Sequence, residues 1–165
     1  MTASQNFIDL CIHFECSGHP EKYLAAYQDQ KKIWTIGVGS TVMPNGLAVK
    51  EGDTITIAQC HQLLVKKIQS LEKYMATALP DGMSQGQYDA VVDLAYNIGE
   101  DAFAGSHVHQ AIKAKANPII MLPFFMAWNK IKKGNIYVES AGLTRRRECE
   151  YYLYLKGENH PTFFE

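Results

Sequence analysis

A long helical pattern over residues 56–77 limits the possible folds of this chain more than any other segment. Its apolar side chains recur at helical spacing, at Ile57, Cys60, Leu64, Ile68, Leu71 and Met75. Thr56 and Gln59 occupy the two ends of a capping box, which sets the start of the helix. The predicted helix spans roughly 30 Å at the usual rise per residue, so it is long enough to connect two lobes.

The segment before this helix has a different pattern. Three short runs, at residues 27–29, 33–38 and 47–49, are rich in β-branched and aromatic side chains. Turn-forming residues punctuate them: Gly37, Gly39, Pro44-Asn45-Gly46 and Gly52-Asp53. This pattern predicts a small antiparallel sheet with tight turns.

Helical patterns fill most of the remaining chain. The first predicted helix covers residues 4–14 and ends there because Ser17-Gly18-His19-Pro20 follows. A second capping box, Ser84 with Gln87, begins another helix, which Gly99 closes. Further helices are predicted near residues 106–115, 118–130 and 143–156.

These segments together predict an α+β fold that is mainly α, in one domain over residues 1–165. A small antiparallel β lobe covers about residues 16–55, and the linking helix covers about residues 56–77. A helical lobe contains about residues 1–14 and 84–156. A cleft between two such lobes suits an elongated substrate.

Charge and hydropathy argue against several classes of protein. The formal net charge of -1 disfavours a nucleic-acid-binding protein, which usually has a basic domain. The sequence has no run of eighteen apolar residues, so we expect no stable membrane insertion. Residues 1–6 lack a basic cluster followed by an apolar core, so no secretory signal is predicted. A target outside the cytoplasm then requires a separate release factor.

Neither the cysteines nor the histidines predict a metal centre or a cofactor. The four cysteines form no Cys-x-x-Cys pair and lack zinc-type spacing, so we expect reduced thiols, some of them in the core. His107 and His109 are more typical of a solvated helix start than of a metal site.

Glu15 is the first candidate for chemistry. It lies at the predicted C-terminal end of the first helix, where the helix dipole disfavours a carboxylate. Apolar neighbours such as Phe14 disfavour the charged form further by desolvation. Both effects raise the pKa of a carboxyl group, which suits a general acid. The alternative is a solvated glutamate at a helix end.

Asp29 and Thr35 are the next candidates. Asp29 ends the first predicted strand, and Thr35 lies six residues later in the second. A short hairpin would bring both side chains to one cleft, where a carboxylate and a hydroxyl can orient a water molecule. Glycoside hydrolysis commonly combines one protonated carboxyl with one ionised carboxylate. The alternative is a turn aspartate and an ordinary strand threonine.

Blocks of sequence around these residues form a recognisable series. In chain order they are Glu15, Ala26-Tyr27-Gln28-Asp29 and Trp34-Thr35-Ile36-Gly37-Val38-Gly39. Downstream come Gln87-Tyr88-Asp89-Ala90, Tyr96-Asn97-Ile98-Gly99, Trp128-Asn129-Lys130 and Gly142-Leu143-Thr144-Arg145-Arg146-Arg147-Glu148. The series resembles phage lysozymes of glycoside hydrolase family 24 over about residues 7–156.

The resemblance implies a lysozyme-like fold and a muramidase. Such an enzyme hydrolyses the β-1,4 bond between N-acetylmuramic acid and N-acetylglucosamine in bacterial lysis. Glu15 matches the proton donor, Asp29 the second carboxylate and Thr35 the hydroxyl beside the attacking water. Three further residues match positions that touch the glycan in family members: Tyr96, Asn97 and Ser106.

The resemblance also implies a partner and a location. The partner is the peptidoglycan glycan strand, with no cofactor and no metal, and we expect a monomer. The protein would wait in the host cytoplasm and act on the cell wall, in the periplasm, after release by a separate factor. The sequence leaves open a secreted antibacterial toxin with the same chemistry, a transglycosylase and a non-catalytic peptidoglycan-binding module.

Departures from the family pattern are concentrated after Glu15. Cys16 stands where the family usually has glycine, and the loop over residues 17–23 makes the segment up to Asp29 longer than usual. Ser40 stands where many members have histidine. One hypothesis is that oxidation of Cys16 blocks the neighbouring acid, and the alternative is a tolerated small residue.

A basic run near the C-terminus allows two interpretations. Arg145-Arg146-Arg147 can contact an anionic wall polymer, with Lys130, Lys132 and Lys133 extending the basic surface. Solvated and ion-paired arginines at a helix start are the other interpretation.

Overall fold

The computed structural model describes residues 1–29 and 32–162. Seven α-helices lie in this part of the chain: α1 (Gln5–Cys16), α2 (Ile57–Ala78), α3 (Gln85–Ile98), α4 (Glu100–Ala104), α5 (His107–Lys113), α6 (Leu122–Met126) and α7 (Ala141–Lys156). Short 3-10 helices cover Pro20–Tyr23 and Pro118–Ile120. The prediction of a mainly helical chain is therefore confirmed.

Both predicted capping boxes form. The Thr56 amide donates to the side-chain oxygen of Gln59 at 2.9 Å, and the Gln59 amide donates to the Thr56 hydroxyl at 3.2 Å. Ser84 and Gln87 make the same reciprocal pair at the start of α3. Because these bonds satisfy amides that a helix leaves unpaired, they fix where α2 and α3 begin.

Four strands form two antiparallel pairs within the described residues. Strand β1 (Tyr27–Gln28) pairs with β2 (Trp34–Thr35), and β3 (Lys130–Lys133) pairs with β4 (Ile136–Glu139). The predicted strand over residues 47–49 is reduced to an isolated bridge between Val42 and Ala48. The small antiparallel sheet predicted before α2 is therefore confirmed in its first hairpin only.

The hairpin of β3 and β4 replaces the end of a predicted helix. The helix predicted over residues 118–130 is instead the 3-10 turn and α6, which ends at Met126. Lys133 pairs with Ile136, so the hairpin turns through Gly134-Asn135. Glycine followed by asparagine is a common two-residue hairpin turn, and Gly134 has the positive φ of 60° that such a turn requires.

The chain forms two compact units. Residues 11–70 make one unit, and residues 1–10 together with those from Leu71 onward make the other. The core of the first unit includes Cys11, Ile36, Val38, Ile55, Cys60, Leu64 and Ile68. In the second unit α7 packs against α3 and α6, around Leu94, Phe103, Phe125 and Leu153.

Charged side chains are buried between α3 and α7. Arg146 donates to both oxygens of Asp93, at 2.8 and 3.0 Å, and Arg147 lies 2.7 Å from a Glu150 oxygen. All four side chains are almost fully inaccessible to solvent. The second interpretation is confirmed for Arg146 and Arg147 in that both are ion-paired, and it is wrong in that both are buried instead of solvated. Arg145 alone of the three is exposed.

No helix in residues 1–29 and 32–162 is both long enough and apolar enough to cross a lipid bilayer. The longest helix, α2, has buried side chains on one side and exposed lysines on the other. This amphipathic pattern is typical of a helix at the surface of a globular protein.

Candidate active site

Glu15 is the penultimate residue of α1 and is half-buried. The helix ends directly after it because Ser17 and Gly18 both have positive φ, 52° and 74°. The Gly18 amide turns back to the Ile12 carbonyl oxygen at 3.3 Å. Such left-handed residues after a helix stop it and satisfy its last carbonyls. The predicted position of Glu15 in the last turn is therefore confirmed.

Asp29 follows β1 directly and is held by the turn of the hairpin. Its Oδ1 accepts the amide of Ile33 at 2.8 Å, and its own amide donates to the Ile33 carbonyl at 3.0 Å. The Lys32 amide donates to the Asp29 carbonyl at 2.9 Å. These bonds fix both the backbone and the carboxylate orientation of Asp29.

Thr35 lies on β2 directly opposite Tyr27 on β1. Residues directly opposite each other share a face of the hairpin, so Thr35 lies on the same face as Tyr27. Asp29 comes directly after β1, two positions beyond Tyr27. Thr35 is only 4% exposed, and its hydroxyl donates to the Ile33 carbonyl at 3.0 Å. The hydroxyl oxygen can therefore act as an acceptor toward a ligand.

Tyr27 connects the two candidate carboxylates. Burial, together with the negative charges of Glu15 and Asp29, raises the pKa of Tyr27 to about 12. Both carboxylates are thus close enough to one phenol to act on it through their charges. The Tyr27 ring also packs edge-on against Tyr23, at 5.2 Å between ring centres.

A tight turn lies beside Glu15. Ile36 and Ser40 exchange backbone hydrogen bonds of 2.8 and 3.0 Å, which closes the turn over residues 37–39. Gly39 has a φ of +72°, and a Cβ atom there would lie 3.4 Å from Glu15 Oε2. A residue with a side chain would strain this turn and crowd the carboxylate. The turn packs on α2, where the Cβ position of Gly37 lies 2.9 Å from Cys60 Sγ.

Lys67 approaches the same glycine from α2. Its Nζ would lie 4.0 Å from a Cβ atom at Gly39. The sequence pattern does not distinguish Lys67, because an exposed lysine on an amphipathic helix is the ordinary case. The place of Tyr27 near both carboxylates is likewise absent from the sequence pattern.

Cys16 does not have the environment of a reactive thiol. It is 1% exposed, and its thiol donates to the Ile12 carbonyl at 3.1 Å. Burial, with the nearby Cys60 and Glu15, raises the pKa of Cys16 to about 11. The thiolate is the reactive form of cysteine, so these features favour a packing role over the redox hypothesis. All four cysteines are buried, and none of them forms a disulfide.

The predicted glycan contacts lie in the other compact unit. Tyr96 is buried and packs edge-on against Phe7, at 6.2 Å. Asn97 accepts a hydrogen bond from Arg147 at 2.9 Å. Ser106 caps α5, accepting the His109 amide at 3.1 Å. These contacts are structural, and the substrate-binding role of the three residues stays a prediction.

The chemistry of the site is that of carboxylates and a hydroxyl. No group of three histidine, cysteine, aspartate or glutamate side chains is placed to hold a metal ion in the described part of the chain. Glu15, Asp29 and Thr35 all belong to the unit of residues 11–70. A pair of carboxyl groups near one substrate bond is the usual equipment for glycoside hydrolysis.

Comparison with known proteins gives consistent results. The family described as Phage lysozyme matches residues 21–150. The endolysin of Salmonella phage P22 is 38% identical over 110 residues, which is 67% of this chain and 75% of that protein. The solved structure of the endolysin from Escherichia coli O157:H7 phage FAHEc1 has a TM-score of 0.83 at 31% identity and covers 97% of both chains. A crystal structure of a P22 lysozyme mutant has a TM-score of 0.77 at 33% identity, over 94% of this chain and 99% of that chain.

Proposed function

The chain belongs to the phage lysozyme family, and from this premise we propose that its hairpin and the end of α1 form the active site of a muramidase. It is a peptidoglycan hydrolase of the endolysin type, with a lysozyme-like, mainly α fold. The proposed reaction is hydrolysis of the β-1,4 bond between N-acetylmuramic acid and N-acetylglucosamine. This finer assignment corresponds to glycoside hydrolase family 24.

In the proposed mechanism Glu15 protonates the leaving glycosidic oxygen. General acid catalysis of this kind contributes about 100-fold to 10,000-fold. Asp29 and Thr35 orient and activate the attacking water. The hydrogen bond from Ile33 fixes the direction of the Asp29 carboxylate, and the Thr35 hydroxyl, which already donates to Ile33, accepts from the water. We propose inversion at the anomeric carbon, as the family resemblance implies.

The observation that carries this proposal is the environment of Tyr27. Its phenol feels the charges of both Glu15 and Asp29, and it lies directly opposite Thr35 in the hairpin. The three proposed catalytic groups therefore have one common neighbour.

Further parts of the proposal follow from the family. We propose one domain over residues 1–165, with the lobes at about 16–55, 1–14 and 84–156 and the linking helix at about 56–77. Tyr96, Asn97 and Ser106 would contact the glycan. The protein would work as a monomer, first held in the host cytoplasm and then released to the wall.

Product analysis tests the reaction directly. Purified peptidoglycan sacculi are digested, and the new chain ends are identified by mass spectrometry after borohydride reduction. Reduced N-acetylmuramic acid ends support the proposal. Reduced N-acetylglucosamine ends or anhydro-muramic ends contradict it, because they indicate a glucosaminidase or a transglycosylase.

A further inference from the structure

Gly39 leaves room for two opposite charges beside its backbone. Glu15 Oε2 lies 3.4 Å and Lys67 Nζ 4.0 Å from the position that a Cβ atom would occupy there. The carboxylate and the ammonium group are therefore separated by no more than the sum of these distances. Charges this close interact within one Debye length at physiological salt, about 8 Å. Nothing in the sequence pattern of α2 distinguishes Lys67 from the other exposed lysines of this helix.

We propose that Lys67 is a positioning residue for the reaction, holding the Glu15 carboxyl at Gly39 and stabilising its charged form. This inference rests on the proposed function, in which Glu15 is the acid. The end of α1 and the apolar neighbours of Glu15 disfavour a negative charge. Lys67 acts in the opposite direction, because an ammonium group attracts a carboxylate.

The thiol of Cys16 and the phenol of Tyr27, which both act on or near Glu15, do not duplicate this role. Cys16 follows Glu15 on α1, and its pKa of about 11 keeps the thiol neutral. Tyr27 on β1, with a pKa of about 12, is also neutral under ordinary assay conditions. The turn over residues 37–39 contributes no titratable side chain.

Lys67 and its neighbour Lys66 differ in their distance from Gly39. Both lysines line the depression between α2 and the loop of residues 39–46. Lys67 Nζ is among the nearest atoms to the vacant Cβ position of Gly39, and no atom of Lys66 is. Lys66→Met therefore removes an equal charge from the same helix and depression without removing the cation nearest to Glu15. It is the matched control.

The test is the pH dependence of kcat and KM on purified peptidoglycan for the wild type, Lys67→Met, Lys67→Arg and Lys66→Met. Without the ammonium group, removal of the proton from Glu15 becomes harder. We expect the basic limb of the Lys67→Met profile to move to higher pH by about 0.5 to 1.5 units, the range given by Coulomb's law between aqueous and protein-like screening. Added salt should shift the wild-type limb more than that of Lys67→Met.

Definite results are also expected for the control variants. Lys67→Arg keeps the charge and should retain the wild-type limb, and Lys66→Met should shift it by less than half as much as Lys67→Met. In Lys67→Met, kcat should change while KM stays within about twofold, because Lys67 acts on the acid and not on the glycan. A purely structural role would leave the pH limb in place. A folded Lys67→Met with an unchanged limb, or an equal shift in Lys66→Met, would overturn the proposal.

A second measurement does not depend on activity. The titration midpoint of the Glu15 carboxyl, followed by carbon NMR, should rise in Lys67→Met and in Lys67→Gln. If the wild type fails to cleave peptidoglycan, the proposed function is wrong, and this titration still decides whether Lys67 acts on Glu15. An unchanged midpoint in both variants would refute the role of Lys67 even in an active enzyme.

Discussion

Gly37 carries the most stringent packing requirement near the active-site turn. Its φ is +58°, and a Cβ atom there would lie 2.9 Å from Cys60 Sγ and 3.3 Å from a methyl group of Ile55. The Gly37 amide also donates to the Tyr23 carbonyl at 2.7 Å, so the backbone is tied in place. Gly37→Ala therefore meets both a conformational and a steric obstacle.

The expected cost can be divided between these two obstacles. A left-handed conformation costs a residue with a side chain about 1–2 kcal/mol. Forcing an extra methyl group into a packed site costs about 1–3 kcal/mol. We therefore expect Gly37→Ala to lower the free energy of unfolding by about 2–5 kcal/mol. Gly46→Ala is the matched control, because Gly46 has a φ of +85° and no atom within 4 Å of its Cβ position. It should lose only the conformational part, about 1–2 kcal/mol.

Urea denaturation followed by circular dichroism measures all of these values. The double variant Gly37→Ala with Cys60→Ala provides the decisive comparison, since it removes the sulfur atom that the new methyl group would meet. Its loss should be smaller than the sum of the two single losses by about 0.5–3 kcal/mol. Equal losses in Gly37→Ala and Gly46→Ala, or strict additivity with Cys60→Ala, would show that steric contact with α2 does not explain the glycine.

Three other substitutions test separate parts of the structure. Asp93→Asn should lower the free energy of unfolding by about 3–5 kcal/mol, because it leaves Arg146 buried without its carboxylate, and a loss below about 1 kcal/mol in urea would contradict this. Burial alone would raise the pKa of Asp93, but the charge of Arg146 outweighs burial and holds this pKa below its usual value. The stability that the Asp93–Arg146 pair contributes in the wild type should therefore be lost as the pH falls through the folded-state pKa, below about 3.9. Cys16→Ser should retain activity with or without reductant. Native Cys16 should react slowly with a thiol reagent near neutral pH, since its pKa is about 11. Rapid labelling of Cys16 or redox-dependent activity would restore the redox hypothesis. Thr35→Ser should keep most of the activity on peptidoglycan, whereas Thr35→Val should lose about 100-fold; equal activities would exclude the hydroxyl from the reaction.

The sequence predicts the fold best where local signals are complete. The capping boxes at Thr56 and Ser84 give the helix starts because a short reciprocal motif determines the first turn. The hairpin of β1 and β2 is predicted for a similar reason, because only a few residues separate two short runs that contain aromatic or β-branched side chains. The hairpin of β3 and β4 carries its own local signal in Gly134-Asn135, which the apolar residues before it obscure.

Burial of charge is not predictable from local patterns. Arg146 and Arg147 look like a solvated basic run, and their partners Asp93 and Glu150 become neighbours only when α3 packs on α7. The proximity of Lys67 to Glu15 has the same origin. The two residues are far apart in sequence, and a glycine between them in space allows the approach. Such contacts depend on tertiary packing, which periodicity does not encode.

The candidate site is intermediate between these two cases in how far the sequence predicts it. The sequence alone gives Glu15 a helix end and gives Asp29 and Thr35 a hairpin, and these local positions are confirmed. The proposal that the three groups act together rests on the family resemblance and on the shared neighbour Tyr27. Their catalytic roles stay predictions.

Activity of the Glu15→Gln variant on purified peptidoglycan tests the central claim most directly. Glutamine keeps the size of the side chain and removes the proton that the reaction requires. The fall in turbidity is measured for the wild type, Glu15→Gln and the control Glu21→Gln, which changes an exposed glutamate in the same unit. We predict that Glu15→Gln loses at least about 100-fold while folding normally, and that Glu21→Gln stays close to the wild type. Full activity in Glu15→Gln would show that another group supplies the proton.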